Sequence, residues 1–272
     1  MNNPLSIVAS KMKKVMTGYI KLQEAKQISK HFSDYLRPVV ADTVEKKEQV
    51  FNIRHQVYCQ ELGFEPVREN EQEFDEFDTF STHAMIQHLQ TGGFAGTVRV
   101  VRPLEDYQQL PIEKYCLHSI THKTLNPANF QRAEVCEISR LAVPERFRRR
   151  NSDKFAGAAT GAIDTETYSD TELRCFPFIA VGLYMSAASI VISKKIPHTY
   201  VMMEPRLARS MGFLGIKFQK IGPTVEYHGL RAPYYINPSL LMESLTPAFR
   251  KMLNDIQVSI EAQKHLFGNK SS

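Results

Sequence analysis

The chain has 272 residues, 43% of them hydrophobic and 23% charged, enough for a full core in one large domain. A net charge of +5 at pH 7 does not demand a nucleic-acid partner, and only a local basic cluster would argue for one. Four scattered cysteines with no CxxC pair give neither a disulfide framework nor a zinc site.

Residues 1–33 read as an N-terminal helical extension: Ile7, Met12, Met16, Ile20 and Leu22 make a loose stripe among lysines. No apolar run with a cleavage site marks a signal peptide, so the cytoplasm is the expected compartment. Leu36 to Thr43 is a short strand, with Pro38 at its start or on an edge. Thr43 then caps a helix over about 45–62 that carries Arg54 and Tyr58 on one face. An acidic loop follows, ELGFEPVRENEQEFDEFDTFST, whose length and interleaved phenylalanines favour a docked, functional segment.

His83 to Leu89 and Gly96 to Arg102 flank Thr91, Gly92 and Gly93 and predict a hairpin. Residues 103–132 look irregular. The apolar stretch Glu134 to Val143, EVCEISRLAV, predicts a strand with Glu137 and Arg140 set into it, and the basic run ERFRRRNSDK comes next. From Cys175 to Ile196 a helix of small and apolar residues is expected. Its longest apolar part, Phe176 to Ile192, is broken by Pro177, Gly182, Ser186 and Ser189, and falls short of the roughly 20 residues of a membrane span. Beyond it come a strand over 198–203, a short helix over 204–211 closed by Gly212, a last strand pair at 218–221 and 224–228, and a C-terminal helix over 247–267. This alternation indicates an α/β or α+β domain around one mixed sheet, and no GxGxxG supports a dinucleotide site.

Four groups of residues are candidates for chemistry. Glu137 and Arg140 lie in an apolar strand, where an ionisable group must find a partner or shift its pKa. Three residues apart, they face opposite sides of a regular strand and share a ligand only across a bulge. Glu137 reads either as a proton acceptor for an attacking amine or as half of a buried ion pair. Asp75 and Asp78 of FDEFD suit an amine-bearing substrate, or a solvated acidic loop. Arg54 and Arg99 offer guanidinium groups to a carboxylate or phosphate, and surface pairing explains them as well. Arg146, Arg148, Arg149 and Arg150 suit a phosphate or a basic patch, and the run is too short for a nucleic-acid stripe.

Taken in order, Arg54, Tyr58, Phe64, Asp75, Asp78, Arg99, Glu137 and Arg140 resemble the signature of the autoinducer synthases that make acyl-homoserine lactones, within the GNAT acyltransferases. Tyr58 and Phe64 stand where that family has phenylalanine and tryptophan, which weighs against a homoserine-lactone product. VFNIRHQVYCQELGF, FDEFDTFSTH, GTVRVVRP, LPIEKYC, EISRLAV and MEPRLARSMGFLGIKFQKIGPTVEYHGLRAPYYI are more similar to the N-acyl amino acid synthases, and among them to acyltransferases associated with the PEP-CTERM/exosortase system.

The resemblance implies an α+β GNAT-like fold, with a mixed, mostly antiparallel sheet flanked by helices over residues 34–245 and a C-terminal helix and tail over 246–272. It implies an acyl-phosphopantetheine donor, on acyl carrier protein or as acyl-CoA, with an amine acceptor and no tightly bound cofactor or metal. Glu137, with Arg99 and Arg140, would be catalytic. Arg54, Tyr58, Phe64, Asp75 and Asp78 would hold the acceptor, and Arg146, Arg148, Arg149 and Arg150 the carrier, since ERFRRRNSDK lacks the glycines of the usual coenzyme A loop. The helix over 178–192 would border an acyl tunnel or fill the core. The alternatives are a homoserine-lactone synthase using S-adenosylmethionine and a catalytically silent acyl- or carrier-binding module.

Overall fold

The computed structural model describes residues 30, 32–147 and 178–267, with side chains to residue 263. Eight strands form the sheet: β1 (Leu36–Val40), β2 (Ser81–His88), β3 (Phe94–Val101), β4 (Val135–Ala142), β5 (His198–Met203), β6 (Gln219–Lys220), β7 (Val225–Glu226) and β8 (Leu230–Ile236). Their order is β1-β2-β3-β4-β5-β8-β6, with β7 also paired to β8. β4 and β5 run parallel and the other pairings are antiparallel. Pro38 sits in the edge strand β1, where a missing N–H costs no ladder bond.

Side-chain alternation separates two faces. Ala84, Ile86, Val98, Val100, Cys136 and Ile138 join one large apolar cluster with α3 (Ile179–Ser193) and α6 (Pro247–Phe267). Gly182 of α3 is there because Phe32 leaves no room for a side chain: an added Cβ would lie 2.5 Å from its ring. The stripe Phe249, Leu253, Ile256 and Ile260 of α6 is buried in this same cluster, so the helix set apart at residue 246 packs into the core of the preceding domain.

The other face is divided. Helix α1 (Val44–Arg54) is capped by the Thr43 side chain and continues as a π-helical turn over His55–Glu61. It covers a small cluster containing Val39, Val50, Ile53, Val57 and Met85. A short helix α2 (Pro111–Cys116), inside the stretch expected to be irregular, covers another with Phe77, Leu110, Ile112, Val135 and Tyr200. Arg99 and Glu137 belong to this face, which is where the site forms.

Three expectations change near the C-terminal end. The helix after β5, α4 (Pro205–Phe213), runs through Gly212, and the left-handed residue is Gly215, φ +90°. The 219–220 and 225–226 strands pair with β8 and not with each other. β8 itself was hidden by Pro233. The remaining helix, α5 (Pro238–Ser244), is capped by Asn237.

Candidate active site

An open cavity is bordered by Tyr58, Phe64, Asp75, Arg99, Glu137 and Arg140, and by His228 and Arg231 from the β7–β8 connection and the start of β8. Six of the residues picked out by sequence therefore meet in one place. They do so because β4 carries the bulge that a shared site requires. Opposite β3, Thr97 pairs with Ala142 and Arg99 with Ser139, so three steps on β4 match two on β3. The extra residue falls around Arg140, whose φ of +48° is unusual for a side chain larger than glycine.

That conformation is held on several sides. The Arg140 guanidinium lies 2.9 Å from Glu65, 3.3 Å from Glu73 and 3.4 Å from Asp75, and 5.3 Å from the centre of the Tyr58 ring. Tyr58 donates its hydroxyl hydrogen to the Leu141 carbonyl at 2.7 Å. Burial works against the Arg140 charge, but Glu73 leads the anions that keep it protonated.

Arg54 and Asp78, expected to hold the acceptor, are not among the residues that border the cavity and pair with each other behind it. Arg54 is fully buried; its Nε meets Glu73 at 2.5 Å and its Nη1 meets Asp78 at 2.7 Å. Asp78 also takes Arg99 Nη1 at 2.9 Å and the Asp75 amide at 2.7 Å, so helix, strand and acidic loop lock together on one carboxylate. Arg99 Nη1 reaches Asp75 at 2.5 Å and its Nε donates to Ser139 at 3.1 Å. Burial penalises the Asp78 charge, yet Arg54 and Arg99 outweigh it and hold the carboxyl far below its usual range. His83, packed beside Asp78, is driven down to about 3 chiefly by burial and stays neutral.

Glu137 behaves in the opposite way. Only 2% exposed, it accepts a hydrogen bond from the Ile112 amide at 2.7 Å, and no guanidinium lies within ion-pair distance among the described residues. Burial pushes its carboxyl up to about 8, against the lowering pull of the Ile112 amide and of Arg99. Beside it, the parallel ladder ends: Glu137 pairs with Tyr200, while β4 continues to Ala142 and β5 to Met203 without further pairing. The diverging strands leave peptide groups next to a carboxyl able to accept a proton near neutral pH.

Phe64 closes the rim, with its ring 5.2 Å from that of His228. Arg146 is exposed beside Phe147, while Arg148, Arg149 and Arg150 lie outside the described residues. No residue of the 178–192 helix borders this cavity; α3 packs on the opposite face of the sheet and fills the core there.

Sequence reasoning missed Glu65 and Glu73, which look like any acid in a loop full of them. It also missed Arg231, because Pro233 disguised its strand. The strand-favouring run Tyr234, Tyr235 and Ile236 was the available signal.

The sheet, its bulged fourth strand and the cleft beside β5 define a GNAT-type α+β fold. Residues 53–157 match the family model of the acetyltransferase (GNAT) domain. Among solved structures, BjaI, a CoA-dependent acyl-homoserine lactone synthase with MTA, superposes with a TM-score of 0.56 at 13% identity, over 80% of this chain and 90% of its own. TofI, in a ternary complex with an inhibitor and MTA, gives 0.54 at 14% identity over 78% and 99%. The AHL synthase LasI gives 0.50 at 16% identity over 78% and 97%. No curated protein matches the chain.

Proposed function

We propose that the protein is a cytoplasmic N-acyltransferase. It moves a fatty acyl chain from a phosphopantetheine thioester, presented by acyl carrier protein, to the amine of a small acceptor, an amino acid. The observation that carries this reading is Glu137, an acid without an ion-pair partner whose pKa rises to about 8 in a cavity wall where two strands part. The amine nitrogen attacks the thioester carbon and its proton passes to the Glu137 carboxylate. The C–S bond breaks, the sulfur takes up a proton, and amide and free thiol result. Peptide N–H groups beyond Glu137 on β4 suit the thioester oxygen as negative charge develops.

Asp75, 20% exposed, is placed to orient the amine, with Arg99 and Arg140 fixing it. Arg146 and its arginine neighbours in sequence would meet the acidic carrier, although BjaI by its name draws on CoA, so both donors belong in the test. Among the described residues no helix is long and apolar enough to cross a membrane, and Cys59, Cys116 and Cys136 are free thiols, which suits a reducing compartment.

The test is thiol release from acyl carrier protein and acyl-CoA thioesters, with a panel of amino acids and with S-adenosylmethionine. Release is expected with an amino acid, rising with pH through about 8 as Glu137 loses its proton. Glu137→Gln should lower turnover by about 10² or more. Release with S-adenosylmethionine alone would make the protein a lactone synthase, and donor binding with no thiol released under any acceptor would leave only a binding module.

A further inference from the structure

Among the described residues three arginines border the cavity, and two are already occupied. Arg99 is bound to Asp75 and Asp78, and Arg140 to Glu65, Glu73 and Asp75. With Arg54 behind them, three guanidinium groups face four carboxylates, leaving one negative charge in excess. An anionic ligand approaching this wall therefore meets like charge, and neither Arg99 nor Arg140 has a free charge to offer it.

Arg231 differs. Among the described residues no carboxylate lies within ion-pair distance of it, and its buried Nε has no hydrogen-bond partner. It is half-buried near the start of β8, where it pairs with Val225 of the short β7, one residue before β8 joins β5 at Ala232. Burial lowers His228 beside it, which favours the uncharged ring, so Arg231 is the permanent cation among the described residues of that wall. A half-buried guanidinium with an unsatisfied donor is suited to a planar anion in two-point contact.

We propose that Arg231 anchors the carboxylate of the acceptor, in the cavity whose other wall presents Asp75 and Glu137 to its amine. This rests on the N-acyltransferase reading. The site then recognises a zwitterion from two sides: the acidic wall takes the ammonium end and Arg231 the carboxylate end. The donor's phosphate is not the anion in question, because it lies at the far end of the pantetheine arm from the reacting thioester carbon. The duty that sequence gave to Arg54 and Arg99 passes to a residue it overlooked.

The test separates anchoring from turnover. Isothermal titration compares N-lauroylglycine with N-lauroylglycinamide, which differ at the carboxylate, on wild type, Arg231→Gln and Arg231→Lys. Wild type should bind the acid at least 10-fold more tightly than the amide. Arg231→Gln should erase that preference while leaving amide affinity unchanged, and Arg231→Lys should keep part of it.

Equal binding of acid and amide by wild type, no binding of either, or a preference that survives in Arg231→Gln would overturn the proposal. So would loss of 4′-phosphopantetheine binding in Arg231→Gln with acid binding intact. Thiol release measured in parallel distinguishes the two ideas. An Arg231-dependent preference without release sinks the acyl-transfer reading and leaves the anchor, whereas release without that preference does the reverse.

Discussion

The two faces of the sheet solve the problem of burial in contrary ways. Under α3 and α6 the strands present Val98, Val100, Cys136 and Ile138 to a large, mainly apolar cluster. On the opposite face, three arginines and four carboxylates occupy the space between two small apolar clusters. The first face tolerates approximate fit, because dispersion and the hydrophobic effect have no sign to match. The second has to be complete: each buried charge is bearable only while its partners are present. Glu137 is the exception on the charged face, and it remains buried by being protonated.

The sharpest way to break this contrast is Arg54→Met. Removing one guanidinium leaves Glu73 and Asp78 buried with fewer partners, and urea unfolding should show a loss of about 3–5 kcal/mol. On the apolar face, Leu183→Ala deletes a fully buried side chain and should cost about 2–4 kcal/mol, with the cavity walls relaxing in part. Adding Glu73→Leu should recover part of the Arg54→Met loss and none of the Leu183→Ala loss, a comparison that separates charge pairing from packing.

Glu137→Gln acts on stability through pH alone, with a defined sign. An ordinary glutamate loses its proton near 4.5 in the unfolded chain, whereas the folded protein retains it up to about 8. The native state binds the extra proton throughout that window, so stability should fall as pH climbs from about 4.5 to about 8 and level off above. Glutamine has no such slope. Thermal melts should lie close together near pH 5, and the variant should melt markedly higher at pH 8.5, with turnover lowered by about 10² or more. Parallel melting curves at both pH values would mean that Glu137 is charged in the fold.

Much of the fold could be read from sequence where one physical signal dominated. Alternating apolar residues marked β3 and β4, the 198–203 strand matched β5, and the Phe249, Leu253, Ile256 and Ile260 stripe marked α6. The bulge in β4 followed from requiring Glu137 and Arg140 to share a cavity, and the register against β3 contains it. Partner choice was not readable. Residue type places Arg54 and Arg99 near an anion without saying whether that anion is a ligand or a buried loop carboxylate such as Glu73. β8 was concealed because Pro233 argues against a central strand, and its continuous burial from Ala232 to Ile236 leaves no alternating pattern to read. The helix α2, whose Ile112 amide bonds Glu137, has six residues and too little pattern to announce itself.

Asp78, gripped by Arg54 from a helix and by Arg99 from a strand, has a consequence for descent. A lineage that changes one member of this group alone passes through a protein with stranded charge in a dry interior. Sequences sharing an ancestor with this chain should therefore keep Arg54, Glu73, Asp78 and Arg99 together or replace them in concert. Arg231, bound to none of them, is free to drift with whatever the cavity accepts.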